Sequence, residues 1–230
     1  MQRWLEGDPP VELILRRSGR TRRFSLRVSR LDGRVTLSMP ERARESDALA
    51  FAQGQADWIR RALDRAVSPD RVAFGSVLLF EGRPVTLTAG PVRAPVLAGD
   101  QLILPPGETR AAARTEAYLK MQARVRLQAA SDHYASLAGR DHGGVTLRDT
   151  RSRWGSCAAD GRLMYSWRLI MAPRQVLEYV AAHEVAHLVE MNHSPAFWAV
   201  VRRLMPDFEA HRRWLKRAGN DLHRYRFTAP

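Results

Sequence analysis

Cysteine is almost absent from the chain, since Cys157 is the one cysteine among 230 residues. A single thiol cannot form an internal disulfide, which excludes a disulfide-stabilised scaffold. Long apolar runs are also missing, and the first ten residues lack the apolar segment of a secretory leader. We therefore expect a soluble, cytoplasmic protein that makes no contact with a membrane.

Lysine is scarce as well: Lys120 and Lys216 are the two lysines, and arginine supplies the remaining positive charge. The formal net charge of +13 favours association with polyanions. The arginines are spread along the chain, however, and coding bias produces such a composition as readily as nucleic-acid binding does. Weak nucleic-acid association through an arginine-rich surface is therefore a secondary expectation.

The first half of the chain has the pattern of short strands. Apolar residues alternate with polar ones between Val11 and Met39, and Asp32-Gly33 suits the turn between the last two of three predicted strands. A helix capped by Ser46 is expected next, followed by further strands up to the linker at Pro105-Pro106-Gly107. The sequence therefore predicts an N-terminal β-rich domain with one helix, over residues 1–106.

The second half is predicted to mix long helices with short strands, which makes the whole chain α+β. Apolar periodicity indicates a helix over residues 108–138 that ends at Gly139. Strands are expected over residues 145–147 and 163–170, and Pro173 is placed to begin a helix that runs to Met191.

This last helix carries His183-Glu184-Val185-Ala186-His187, the HExxH pattern, among apolar residues. Residues four apart lie one above the other on a helix, so the imidazoles of His183 and His187 can converge on a zinc ion. Glu184 lies further round the helix, where it reaches a water molecule on the metal as general base. Burying these polar side chains without a partner would be costly, so the pattern indicates a zinc hydrolase.

His193 is the preferred third ligand. A straight helix would carry residue 193 about 15 Å along the axis from residue 183, so the chain must turn first. Asn192 tolerates the left-handed conformation of a helix end, and Ser194-Pro195 suits the start of a new helix. The spacing equals that of the metzincin motif, although one position differs. Glutamates offer two alternatives to His193: Glu190, which stands where metzincins have glycine, and Glu209.

Four segments of the second half occur in a specific combination: RSRWGSC at residues 151–157, LMYSWRLIMAP at 163–173, YVAAHEVAHL at 179–188 and NHSPAFW at 192–198. The combination resembles the YgjP-like metallopeptidase-domain family, small bacterial zincins akin to SprT-like proteins. The resemblance implies a zincin-like α+β metallopeptidase domain over residues 107–230. It also implies Zn²⁺ as the cofactor, with His183, His187 and His193 on the metal and Glu184 as the base.

The leading hypothesis is a zinc metallopeptidase that acts on a peptide or protein substrate. The substrate is expected to pair as an extended chain with the strand at residues 163–170. One alternative is a basic, nucleic-acid-associated module of SprT-like type that acts on DNA-bound proteins, and another is a zinc-binding domain without turnover. The residue that stabilises the oxyanion is left open among five candidates: Tyr165, Tyr179, His211, His223 and Tyr225.

Overall fold

The computed structural model of the protein describes residues 2–29, 33–64 and 70–227. Tertiary contacts divide the chain into two compact units, Met1–Pro69 and Asp70–Pro230. Helices and strands occur in both units, and the α+β class predicted from the sequence is confirmed.

The first unit is built from four strands and two helices. Its elements are β1 (Gln2–Leu5), β2 (Val11–Ser18), β3 (Ser25–Val28), β4 (Val35–Pro40), α1 (Glu45–Gly54) and α2 (Ala56–Asp64). The sheet has the order β1-β2-β4-β3, in which β2 and β4 are parallel and the outer pairs are antiparallel. Leu13, Leu37 and Met39 are buried while their neighbours are not, as the alternation predicts.

Two local expectations in the first unit are wrong. α1 begins at Glu45 with Arg44 in the N-cap position and no side-chain cap, so Ser46 is not the capping residue. The chain also leaves the helical path at Gln55, which splits the single expected helix into α1 and α2. The predicted turn between β3 and β4 lies partly outside the described residues, because Asp32 is not among them.

The second unit contains nine strands, four α-helices and three short 3₁₀ segments within the described residues. The strands are β5 (Asp70–Arg71), β6 (Val77–Phe80), β7 (Arg83–Ala89), β8 (Val96–Ala98), β9 (Gln101–Leu104), β10 (Val145–Arg148), β11 (Gly155–Cys157), β12 (Leu163–Ser166) and β13 (Tyr225–Arg226). The α-helices are α3 (Ala111–Ala138), α4 (Arg174–Ala186), α5 (Pro195–Leu204) and α6 (Phe208–Ala218). The 3₁₀ segments are Glu108–Arg110, Trp167–Met171 and Gly219–His223.

The strands of the second unit form three sheets. Their orders are β6-β7-β9-β8, β10-β12-β11 and β13-β5. In the sheet that concerns the site, β12 is central: it runs parallel to β10 and antiparallel to β11. β11 is therefore an edge strand.

The division between the units differs from the predicted boundary after residue 106. The sheet β6-β7-β9-β8 contributes Leu78, Leu87 and Leu102 to the same buried cluster as α3 and α4. The turn between β6 and β7 is also tied to the later chain, since the N–H of Glu81 donates to the carbonyl of Ile170 at 2.8 Å. This sheet has an apolar face that α3 and the 3₁₀ segment cover, so contacts place the division at Pro69 rather than at the linker.

Two elements near the site are shorter than expected. β12 ends at Ser166, and Trp167–Met171 is a 3₁₀ helix rather than the end of a strand. All five residues of that segment are buried, and a short apolar run does not by itself distinguish a buried strand from a buried helical turn. α4 ends at Ala186 instead of continuing to Met191.

The long helix of the second unit matches the sequence prediction. α3 ends at Gly139, whose φ of 64° is the left-handed conformation that favours glycine at a helix end. Within the described residues, no helix has the length and apolar composition needed to cross a bilayer.

Candidate metal centre

Two helices and the bend between them position three histidines. His183 lies in the last turn of α4, and His187 occupies the residue directly after the helix. His193 lies in the bend, just before α5 begins at Pro195. Ser194 caps α5 by accepting the N–H of Phe197, as the sequence predicted. The early end of α4 therefore allows the chain to bring His193 back towards His183.

The bend does not use the left-handed conformation expected of Asn192. Glu81 is the one non-glycine residue with positive φ in the described part of the chain. The Asn192 side chain instead accepts the backbone N–H of Ser194 through Oδ1, at 3.0 Å. This local hydrogen bond stabilises the turn that precedes α5.

The three histidine side chains converge. Each offers one ring nitrogen, and these nitrogens all lie within 4.8 Å of one another. Nε2 of His183 and Nε2 of His193 are 3.1 Å apart. Two ring nitrogens that face each other at this distance suit a shared cation, because imidazole nitrogen is a common zinc ligand.

The protonation state of the rings also suits metal binding. Burial, together with the neighbouring His187 and His193, lowers the pKa of His183 to about 3. Burial also lowers the pKa of His187. Both rings are thus neutral at neutral pH, which is the form that binds a metal ion.

Hydrogen bonds orient one ring and leave another without support. His187 approaches the carbonyl oxygen of Glu190 through Nδ1 at 3.1 Å, which leaves Nε2 for a ligand. Nδ1 of His183 is buried and has no hydrogen-bond partner among the described residues. The neutral imidazoles and their convergence fit a zinc ion.

Glu184 lies beside this cluster, on the side of α4 that meets β11. Glu184 is 6% exposed, and its carboxylate accepts the backbone N–H of Cys157. Burial raises the pKa of Glu184 to about 8, against the opposing effect of Arg153 and of this hydrogen bond. A carboxylate held in this way is placed to exchange a proton with a bound molecule.

Gly155 makes room for Glu184, which sequence reasoning did not foresee. A Cβ atom at Gly155 would lie 2.5 Å from Oε1 of Glu184, so a side chain there would displace this carboxylate. The glycine matters here through close approach rather than through its backbone conformation. The RWGSC segment places this glycine in the sequence, but its contact with Glu184 depends on how α4 packs on β11.

An aromatic wall, formed by Phe197, Trp198, Tyr179 and Phe208, borders the histidines. The ring of Phe197 lies 4.9, 4.4 and 4.8 Å from the rings of His183, His187 and His193. Trp198 stacks on His193 at 5.9 Å and on Phe208 at 5.6 Å. Phe197 belongs to the buried core cluster and Trp198 packs against it, and both rings also shape the site.

The alternative third ligands lie elsewhere. Glu190 contributes its backbone carbonyl to His187, and its carboxylate is not part of the histidine cluster. Glu209 is exposed and lies 3.8 Å from Arg202 and 3.9 Å from Arg213. Among the described residues, the group that could hold a metal ion consists of His183, His187 and His193.

Two of the five oxyanion candidates are committed to structural contacts. Tyr165 is fully buried and shares a hydrogen bond of 3.0 Å with Ser131. His223 is 4% exposed and packs against Trp154 at 5.0 Å. Tyr179 remains nearest the cluster, with its ring 6.0 Å from that of His183.

The edge of the sheet next to Glu184 is β11, which corrects the expected substrate strand. Both sides of β12 are already paired, so residues 163–166 have no free edge to offer a peptide. The N–H of Ser166 in β12 donates to the carbonyl of Trp154 at 2.8 Å, and the N–H of Ala158 donates to the carbonyl of Arg162, just before β12, at 2.9 Å. The backbone groups of Gly155, between them in the alternation, therefore point away from β12.

Comparison with known proteins agrees with the sequence resemblance. No curated protein matches the chain. A solved structure, the metallopeptidase zymogen of Pyrococcus abyssi abylysin, shares 18% identity over 40% of this chain and 95% of its own, with a TM-score of 0.37. That similarity is too low to support an argument. The model of the family described as YgjP-like, metallopeptidase domain, matches residues 22–218, and the chain therefore belongs to the YgjP-like metallopeptidase-domain family.

Proposed function

We propose that this protein is a zinc-dependent peptidase whose general base is Glu184. The observation that carries the proposal is the convergence of three histidine ring nitrogens within 4.8 Å of one another, beside a buried glutamate. A free strand edge borders the same glutamate. Metal ligands, a base and a peptide-binding edge are the parts that metal-assisted peptide hydrolysis requires.

His183, His187 and His193 would hold the zinc ion. Zinc in such a site supplies a Lewis acid that polarises a carbonyl group and makes water more acidic. Three protein ligands are usual for catalytic zinc, whereas structural zinc usually has four. This count supports an enzyme over a zinc-binding domain without turnover.

Glu184 would take a proton from water and pass it to the departing amine nitrogen. Its carboxylate is buried and oriented by the N–H of Cys157, so it does not swing freely into solvent. The rings of Phe197 and Trp198 pack against the histidines beside it. A fixed, poorly hydrated carboxylate is an efficient proton carrier because little reorganisation accompanies the transfer.

The substrate would lie as an extended chain along β11. Gly155 directs its backbone N–H and C=O away from β12, towards the open side of the sheet. Glu184 occupies the next position along this edge, where it accepts the N–H of Cys157. A peptide paired with Gly155 would therefore present its next carbonyl beside Glu184.

Other expectations from the sequence stay predictions. Association with nucleic acid rests on the net charge of +13 alone. The cytoplasmic location and the roles of the two units are likewise predictions. The choice of zinc over other divalent ions rests on the all-histidine donor set.

The proposal is tested by metal analysis and by hydrolysis of a mixed peptide library. The wild-type protein should bind one zinc ion per chain and cleave peptides. Glu184→Gln should retain zinc and lose activity by roughly 10²–10⁴-fold, the usual contribution of a general base. His193→Ala should lose zinc as well as activity.

His133→Ala is the matched control, because His133 is exposed on α3 and is not part of the cluster. It should retain zinc and activity. Undiminished hydrolysis by Glu184→Gln would refute the role of the base. Retention of zinc by His193→Ala would refute the ligand set.

A further inference from the structure

The sheet β10-β12-β11 has a second face, opposite the one that carries Gly155 and Glu184. The register aligns Thr146, Met164 and Ser156 in a row across the three strands. Side chains alternate along a strand, so Ser156 points away from the face to which its neighbour Gly155 belongs. A cavity of about 360 Å³ opens on this side. We call it the outer-face cavity.

The polar lining of the outer-face cavity consists of cations and hydroxyl groups. Its polar side chains are Thr146, Arg148, Thr150, Arg153, Ser156 and Arg162. No carboxylate is among the described residues that line it. Met164 adds an apolar surface at the centre.

The three arginines differ in how far they are already neutralised. Arg162 pairs with Asp160 at 2.7 Å. Arg153 is close enough to Glu184 to act on the pKa of that carboxyl. Arg148 has no acidic partner within the part of the chain that the structure describes. The cavity therefore holds positive charge that the protein itself does not balance.

The outer-face cavity and the metal centre share one strand. Gly155 packs on Glu184, and the next residue, Ser156, lines the cavity. A chain paired with the edge of β11 would send alternate side chains to the two faces of the sheet. One of them would enter the outer-face cavity close to the bond beside Glu184.

We propose that the outer-face cavity selects substrates with an aspartate or glutamate side chain near the cleaved bond, and that Arg148 binds that carboxylate. This inference rests on the proposed function, since it assumes a peptide held along β11. Arginine and hydroxyl donors suit a carboxylate, and Met164 suits the aliphatic part of the side chain.

Single-stranded nucleic acid fits this cavity less well than an acidic peptide does. Binding of single strands relies on aromatic rings on which bases stack. No aromatic side chain is among the described residues that line the cavity. A cavity of about 360 Å³ also suits one side chain better than a continuous backbone.

Binding to the Glu184→Gln protein tests the inference without cleavage. Fluorescein-labelled peptides of mixed sequence carry either glutamate or glutamine at one fixed position, and their affinities are compared by anisotropy. We expect the glutamate peptide to bind about fivefold to tenfold more tightly at one position, as a solvent-accessible charged hydrogen bond would give. Arg148→Gln should remove this preference. Arg148→Glu should reverse it, in favour of a lysine peptide.

Arg83→Gln is the matched control, because Arg83 is an exposed arginine of the same unit that lines a different cavity. It should keep the preference for glutamate. Equal affinity for the glutamate and glutamine peptides at every position would overturn the inference. The inference would also be overturned if a single-stranded DNA oligonucleotide bound through Arg148 while the protein showed no preference for acidic peptides.

Hydrolysis by the wild-type protein separates this inference from the proposed function. Cleavage without any preference for acidic peptides would overturn the inference and leave the peptidase proposal intact. An Arg148-dependent preference in binding, with no cleavage of any peptide, would support the inference and refute the proposed turnover.

Discussion

The two faces of the sheet β10-β12-β11 differ in almost every physical respect. The inner face buries Val145, Leu163 and Tyr165 against the helices and leaves space at Gly155 for Glu184. The outer face carries Thr146 and Ser156 beside arginines in an open cavity. Each strand supplies both faces through simple alternation.

The difference shows how burial determines chemistry. On the inner side, loss of water raises the pKa of Glu184 to about 8 and lowers that of His183 to about 3. Polar groups whose pKa values are shifted in this way suit proton transfer or metal binding. On the outer side, the cations remain hydrated and suit recognition of charge rather than proton transfer.

The largest expected effect on stability contrasts neighbouring residues of β12. Leu163 is fully buried on the inner face, so Leu163→Ala should cost about 2–5 kcal/mol of unfolding free energy. Met164 is partly exposed on the outer face, and Met164→Ala should cost less than about 1.5 kcal/mol. Urea denaturation measures both. Equal losses would mean that the two faces are not distinct in packing.

The next effect concerns the close approach of β11 to α4. Gly155→Ala would place a methyl group 2.5 Å from Oε1 of Glu184 and should displace the carboxylate. We expect peptidase activity to fall about 10- to 100-fold, since small misplacements of catalytic groups have such effects. Zinc content should not change.

Gly54→Ala provides the control for that experiment. Gly54 ends α1, and a Cβ atom there would have no atom within 4 Å. Its activity should equal that of the wild type. If Gly155→Ala hydrolyses peptides equally well, the position of Glu184 is less critical than the structure indicates.

The smallest expected effect tests whether burial also shifts the pKa of a histidine outside the metal centre. Burial lowers the pKa of His223 to about 4, and the charges of Arg168, Arg151 and Arg226 add to this against the opposing effect of Asp149. The unfolded chain takes up a proton near pH 6.5, before the folded chain does. The contribution of His223 to stability is therefore present above about pH 6.5 and is lost as the pH falls towards about 4.

We expect this loss to be roughly 2 kcal/mol, measured as the unfolding free energy of the wild type relative to His223→Gln at each pH. The same subtraction with His133→Gln should show a smaller pH dependence, because His133 is exposed on α3. A difference that does not change with pH would show that His223 titrates normally in the folded protein.

The site was predictable because its main residues lie close together in sequence. His183 and His187 are four residues apart, so any helix brings them to one face. His193 follows six residues after His187, in the bend between two helices, and Ser194-Pro195 signals the start of α5. Local rules of helix geometry and capping were sufficient for His183, His187 and Ser194, whereas they missed the early end of α4 that brings His193 back.

Other features could not be predicted from the sequence, because they depend on contacts between segments that are distant in the chain. The apolar run at Trp167–Met171 fits a strand as well as a 3₁₀ helix, so the substrate edge was assigned to β12 rather than to β11. The roles of Gly155 and Arg148 likewise depend on which segments pack beside them. Composition and periodicity contain no information about such partners.

By itself, the sequence determined the family and the α+β class, and it predicted the three histidines that the structure brings together. Only the tertiary structure decided that β11 is the edge strand beside Glu184, that the units divide at Pro69, and that a cavity lined by arginines lies on the outer face of the sheet β10-β12-β11. The physical reason is range: helix periodicity acts over a few residues, whereas strand order and cavities arise from the packing of segments far apart in the chain.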